Sequence, residues 1–344
     1  MPELKEITDS IISNVEKVIV GKRPQVSTVL AALLARGHVL LEDVPGVAKT
    51  MLARAIAASL GCQFKRVQCT PDLLPADITG VSVFNQKNQD FEFLPGPAFT
   101  NILVADEINR ATPRTQSALL EAMEERQISV DGTTYPLPTP FLVVATQNPV
   151  EQEGTFPLPE AQLDRFLIRI SLGYPGFTEE GDMLDRLAGG HGTHPVDTLQ
   201  PVVDGAAILQ MQRDVTDVFV HNQVRDYILN LVQGTRENMK LALGASPRAS
   251  IALYRAAQSM AALDGRGYVI PDDVKQLAIP VLGHRLILKP EYRLRRESSH
   301  SVIEELLKKI TPPLNSGQLH GGGGGRGNQP APDQMVGFPH NRKR

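Results

Sequence analysis

An excess of charge of either sign is missing from this chain. Its 344 residues carry 35 Lys and Arg against 38 Asp and Glu, a formal net charge of -3. No bulk basic field therefore draws it to nucleic acid or to an anionic membrane, and any polyanion contact must be local. A long apolar run is missing too. The greasiest stretch, TVLAALLA at 28–35, falls far short of the ~18 residues that a spanning helix requires. The opening MPELKEITDS mixes acids with apolar residues where a signal peptide needs an unbroken apolar core. These absences predict a soluble, cytoplasmic protein with no membrane span. Cysteine is scarce: Cys62 and Cys69 read as buried free thiols in a reducing compartment. The histidines are scattered without metal-ligand spacing, so no transition-metal site is expected.

What is present is alternation. The length suits about two domains. Leu4, Ile7, Ile11, Val15 and Val18 recur at three or four and predict an amphipathic helix, and a second helix is expected over about 24–36, closed by Gly37. Short apolar strands then alternate with helical patterns: HVLL at 38–41, FKRVQC at 64–69, ILVAD at 102–106, FLVVAT at 141–146 and LIRISL at 167–172. The helix TQSALLEAMEER is preceded by Thr112 as cap and by Pro113. Such alternation predicts an α/β fold: a mostly parallel five-stranded sheet between helical layers, with ligands at the carboxyl edge of the strands. Beyond GYPG at 173–176 the patterns turn helical, with Val220, Val224, Tyr227, Ile228 and Leu231 on one face. Residues 1–190 are thus expected to form the α/β core and 191–315 an all-helical lid. The Gly-rich tail, 316–344, has too few apolar residues to order itself.

Between the first strand and its helix stands LEDVPGVAKT, 41–50. The pattern G-x-x-x-x-G-K-[ST] asks for glycine at 43 and 48, where this chain has Asp43 and Ala48. A phosphate cradle nevertheless needs backbone N–H groups feeding a helix start, a lysine and a hydroxyl. Gly46, Lys49 and Thr50 can supply these, within a candidate binding segment of Pro45, Gly46, Val47, Ala48, Lys49, Thr50 and Met51. If Ala48 needs positive φ the strain is about 1–2 kcal/mol, which a surrounding fold can hold. A plain strand-to-helix turn is the alternative. At the end of the ILVAD strand, Asp106 and Glu107 can hold a hydrated magnesium and orient a water for attack on a γ-phosphate, or can be a solvated strand end. Asn148 ends a further strand at the same edge and can bond that water, although Asn before Pro149 is also turn chemistry. Together the three strand ends make a nucleotide hydrolysis site.

LEDVPGVAKTMLARAIA, ILVADEINRATPRTQSALLEAMEERQISVDG and VVATQNPVEQEGTFPLPEAQLDRF closely resemble the MoxR branch of AAA+ ATPases, over about residues 1–312. The resemblance implies ATP and Mg2+ as ligands. It makes Lys49 and Thr50 the Walker A lysine and metal hydroxyl, Asp106 and Glu107 the Walker B metal acid and catalytic base, and Asn148 sensor 1. Ile19, Val20 and Gly21 would line the adenine pocket. Arg165 would be an arginine finger offered to a neighbouring subunit, and Arg248 a sensor 2 on the chain's own nucleotide, which would sit between core and lid. It also implies an insertion at about 80–101, a hairpin at about 127–137, a hexameric homo-oligomer, and protein clients or adaptors with von Willebrand A domains. On residues alone, Arg165 beside Asp164 can be a surface ion pair, and Arg248 a solvated helix-start cation. Two other readings stay open: a nucleotide-dependent switch with little turnover, and a nucleic-acid motor. The second is disfavoured because no Lys or Arg occurs between Gln127 and Pro140 to meet phosphates.

Overall fold

In the computed structural model, residues 1–87, 89–149, 154–189 and 195–313 are described. The Gly-rich tail expected at 316–344, and the 190/191 boundary expected between core and lid, lie outside them. Met1–Pro313 form one compact unit.

Helices α1 (Pro2–Glu16) and α2 (Arg23–Leu34) precede β1 (Val39–Glu42). The chain continues through α3 (Lys49–Ser59), β2 (Phe64–Gln68) and α4 (Pro75–Thr79), then through a hairpin of β3 (Gly80–Asn85) and β4 (Asp90–Pro95). Next come β5 (Ile102–Asp106), α5 (Pro113–Glu125), a second hairpin of β6 (Gln127–Val130) and β7 (Thr133–Pro136), β8 (Leu142–Gln147), α6 (Glu160–Leu163), β9 (Ile168–Ile170) and α7 (Phe177–Gly189). The central sheet runs β2-β5-β8-β1-β9 with every pairing parallel. Strand periodicity sorts its residues into two cores. Val39, Leu41, Ile102, Val104, Leu142 and Val144 face α1, α2 and α3, whereas Leu40, Leu103, Ala105, Val143 and Ala145 face α5. Burial on both faces explains why these strands read as continuous apolar runs.

The turn chemistry at the second hairpin is legible: Asp131 and Gly132 both have positive φ, 50° and 80°, as a two-residue type I′ turn demands. The two hairpins meet through Phe93 and Tyr135, stacked 4.2 Å apart.

From α8 (Gly205–Thr216) onward the chain is mainly helical: α9 (Asn222–Glu237), α10 (Pro247–Leu263), α11 (Pro271–Leu282), α12 (Pro290–Leu294) and α13 (Ser299–Lys309). Val224, Tyr227, Ile228 and Leu231 are buried along α9. The expectation of an all-helical lid needs one correction. Strands β10 (Leu241–Leu243) and β11 (Ile287–Leu288) pair antiparallel, and they are too short to show a strand period. No helix among the described residues is long and apolar enough to cross a membrane. Cys62 and Cys69 are free, but Cys62 is half-buried rather than buried.

Candidate functional site

The loop after β1 turns on two left-handed residues. Gly46 has φ 84° and Ala48 φ 62°. Position 48 therefore needs the conformation that a glycine supplies without strain, and Ala48 bears a cost of about 1–2 kcal/mol. Helix α3 starts at Lys49 and Ala48 gives it no side-chain cap; a helix start of this kind is where backbone N–H groups meet an anion. A side chain added at Gly46 would meet nothing within 4 Å, which leaves room beside the loop. Val47 is buried and Met51 is half-buried against the α1–α3 side of the core; Pro45 is exposed.

Asp43, which stands where the general pattern has its first glycine, anchors the loop. Its Oδ2 accepts the Ser171 hydroxyl at 2.8 Å and the Leu172 and Gly173 N–H groups at 2.6 and 2.7 Å, and its Oδ1 accepts Val44 N–H at 2.9 Å. Burial opposes the carboxylate, but these bonds outweigh it and hold Asp43 below the usual range. Lys49 Nζ donates to the Asp43 carbonyl at 2.7 Å. Ile19, Val20 and Gly21 follow α1 and come to the same stretch: Lys22 Nζ bonds the Tyr174 carbonyl at 3.1 Å, and Gly21 lies directly against Glu179.

One strand over, Asp106 closes β5. Thr50 Oγ1 donates to its Oδ2 at 3.2 Å, so α3 and β5 meet at the hydroxyl and carboxylate assigned to the metal. Arg66 donates to the same oxygen through Nε at 3.0 Å and Nη2 at 2.6 Å, and Thr146 donates to Oδ1 at 2.5 Å. Burial works against ionisation, yet the Thr146 and Arg66 bonds, the Arg66 charge and Thr50 together hold Asp106 below the usual carboxylate range. Glu107 is left-handed, φ 56°. Its N–H bonds Thr146 Oγ1 at 2.9 Å, while its carboxylate accepts Gln68 Nε2 at 3.1 Å and Arg110 Nη1 at 3.0 Å. Asn148 is buried one residue past β8. The β1–β8 register, Glu42 opposite Gln147, puts it beside Asp43. Lys49, Thr50, Asp106, Glu107 and Asn148 thus gather at one sheet edge. An all-oxygen pair of hydroxyl and carboxylate suits a hard cation such as Mg2+.

Arg165 and Arg248 are elsewhere. Helix α5, about 20 Å long at 1.5 Å per residue, descends from the acid pair to the opposite edge. There His38 Nε2 donates to Met123 O at 3.0 Å and Arg126 bonds the Arg36 carbonyl, both just ahead of β1. Glu124, at that lower end, takes Arg165 Nη1 at 3.1 Å and Arg248 Nη2 at 3.0 Å. The expectation that Arg248 joins Lys49 on one nucleotide, between core and lid, is therefore corrected: α10 begins at the other end of the sheet. The anion that relieves its helix-start charge is Glu124. Nor do Asp164 and Arg165 pair with each other, because Asp164 bonds Arg285. An open cleft of about 510 Å³ runs beside Arg165, lined by Leu120, Glu121, Glu124, Glu125 and Gln162 among others.

Asp43, Arg66, Gln68, Arg110 and Thr146 were not anticipated from sequence. Asp43 carried a signal, since it marked a departure from the loop pattern; the rest gave none, because each matters through its register against a neighbouring strand.

A profile described as "ATPase family associated with various cellular activities (AAA)" matches residues 38–168, and one described as "AAA lid domain" matches 233–306. The chain is 51% identical over 312 residues to "Uncharacterized protein YeaC" of Bacillus subtilis, covering 91% of this chain and 97% of that one. It is 44% identical to "Chaperone MoxR1" of Mycobacterium tuberculosis, over 88% of this chain and 81% of that one. It is 30% identical to "Protein MoxR" of Methylorubrum extorquens, over 86% and 91%. The crystal structure of a candidate ATPase from Cytophaga hutchinsonii superimposes with TM-score 0.84 at 39% identity, covering 91% of this chain and 97% of that one.

Proposed function

Since the chain belongs to the MoxR family of AAA+ ATPases, we propose that it hydrolyses ATP with Mg2+ to drive chaperone-like remodelling or maturation of client protein complexes. The observation that carries this is the meeting of Thr50 with Asp106, 3.2 Å apart, at the edge where Lys49, Glu107 and Asn148 also stand. In this reading Lys49 and the start of α3 bind the phosphates, and Ile19, Val20 and Gly21 border the base. Thr50 and Asp106 hold Mg2+, which supplies charge neutralisation on phosphate oxygens. Glu107 takes the proton of the attacking water and Asn148 orients that water.

Arg165 and Arg248 both pair with Glu124, at the end of α5 away from the acid pair, which supports the reading that they complete the site of a neighbouring copy. Turnover then requires assembly, in a hexameric ring. The likeness to a protein named as a chaperone supports protein clients, with von Willebrand A domain adaptors and metal-cofactor insertion as the specific roles. The hairpin at 127–137, without a cation, speaks against DNA.

A second reading, a nucleotide switch with little turnover, is favoured by one observation: Gln68 and Arg110 both hold the Glu107 carboxylate, which must be released before it can act as a base. Steady-state phosphate release decides between them. A wild type many times faster than Glu107→Gln supports the ATPase; a wild type as slow as that variant selects the switch. A pull-down with Glu107→Gln in ATP should retain the client, and stimulation by DNA would reinstate the nucleic-acid motor.

A further inference from the structure

The segment that carries Arg165 is fixed by one buried side chain from the helical region. Arg285, 7% exposed, follows α11. Its Nε donates to Asp164 Oδ1 at 2.6 Å. Nη2 bonds the carbonyls of Phe166 at 2.6 Å and Asp164 at 3.2 Å, and Nη1 bonds those of Leu167 at 3.2 Å and of Val281. Those bonds occupy all five N–H donors of a guanidinium, and a lysine could not reproduce them. The backbone on both sides of Arg165 is thereby clamped.

The other oxygen of Asp164 reaches the second arginine's helix. Ser246 is the N-cap of α10, but its hydroxyl makes no capping bond, the ordinary use of an N-cap serine. It donates instead to Asp164 Oδ2 at 3.1 Å. Arg248 follows two residues later. One carboxylate thus ties the backbone of Arg165 to the start of the helix bearing Arg248, while Glu124 joins their guanidinium heads.

We propose that Asp164 and Arg285 are positioning residues, which lock core to lid so that Arg165 and Arg248 meet the phosphates of a second copy of this chain as one unit. This rests on the reading that Arg165 serves a neighbouring site. Neither Asp164 nor Arg285 touches substrate. Their effect is geometric, and a misplacement of about 1 Å at a reacting centre costs on the order of 10²-fold in rate.

Mixed assemblies provide the test. Acceptor chains carrying Arg165→Ala keep a complete nucleotide loop but offer no finger. Donor chains carrying Lys49→Ala offer arginines but do not turn over ATP themselves. Mixing the two should restore phosphate release. A donor that also carries Asp164→Asn should restore about 10²-fold less turnover at saturating ATP, with the KM of the acceptor sites unchanged. A Ser246→Ala donor should lose about fivefold, the worth of one hydrogen bond, and should lose nothing further when Arg248→Ala is already present. Full restoration by a folded Asp164→Asn donor overturns the proposal, as does a Ser246→Ala loss that adds to that of Arg248→Ala. If Asp164→Asn fails to fold, by circular dichroism and sedimentation, the Ser246 arm decides. A donor with Arg165→Ala that restores turnover as well as the intact one shows instead that the neighbouring-site reading is wrong, and the clamp falls with it.

Discussion

Thr146 gives its hydroxyl proton to Asp106 at 2.5 Å and takes the N–H of Glu107 at 2.9 Å, so a single side chain on β8 orients both acids at the end of β5. Thr146→Val keeps the shape and removes both bonds. A partly buried carboxylate loses a donor and the Glu107 N–H loses its acceptor. The expected cost is about 1–3 kcal/mol of stability, read by urea unfolding. Turnover should fall at least about tenfold, because the acid pair is no longer held in register.

Ala48 occupies a left-handed position at φ 62°. Ala48→Gly relieves a strain of about 1–2 kcal/mol, against which the greater freedom of glycine in the unfolded chain costs about 0.4–1 kcal/mol. Thermal melts should show unchanged or slightly raised stability, and calorimetry should show MgATP still bound. Ala48→Val, β-branched where φ is positive, should weaken both.

Arg66 covers the Asp106 oxygen that also receives Thr50. A divalent cation bound to that oxygen must displace the guanidinium. Arg66→Ala removes the competitor, and since Arg66 is half exposed the pair is worth at most about 1 kcal/mol. The Mg2+ concentration for half-maximal turnover should fall about threefold to fivefold. A rise would mean that Arg66 holds Asp106 in its working pose rather than blocking it.

The buried His38 is neutral by construction. Val143 N–H donates to Nδ1 at 2.9 Å, so the proton sits on Nε2, which donates to Met123 O. Burial, and then the nearby Arg126 charge, push its pKa down to about 4 from 6.5, against the help of the Met123 bond. The unfolded chain therefore takes a proton that the fold refuses. Stability is full above about pH 6.5 and declines as pH falls toward 4, by about 3 kcal/mol in all. His284 is shifted the same way by burial and by Arg285, which steepens the decline. Chemical unfolding at several pH values checks this, and His38→Gln should flatten the curve without abolishing it.

Much of the fold was legible because β1, β5 and β8 are short apolar runs, each next to a helical period. Lys49, Thr50, Asp106, Glu107 and Asn148 were legible because each stands at the end of such a strand or the start of such a helix. Arg165 was visible as a motif residue, but its partner Glu124 and its place at the lower edge were not, since helical pitch and register decide them. Arg248 was misplaced for a related reason: sequence orders elements along the chain, whereas the packing of α10 decides which sheet edge its first turn faces. Strands β10 and β11, with three and two residues, pair across more than 40 positions of sequence and offer no local alternation to read.

Asp43 has a consequence for the order of assembly during synthesis. The groups that moor it, Ser171, Leu172 and Gly173, lie 128 to 130 positions downstream. A chain made only through Asn148 already holds Lys49, Thr50, Asp106 and Glu107, but it lacks the three groups that bond Asp43 Oδ2. The three bonds that fix the Asp43 carboxylate can form only after β9 has been made and has paired with β1, so the loop after β1 takes its shape from residues far beyond the strand that leads into it.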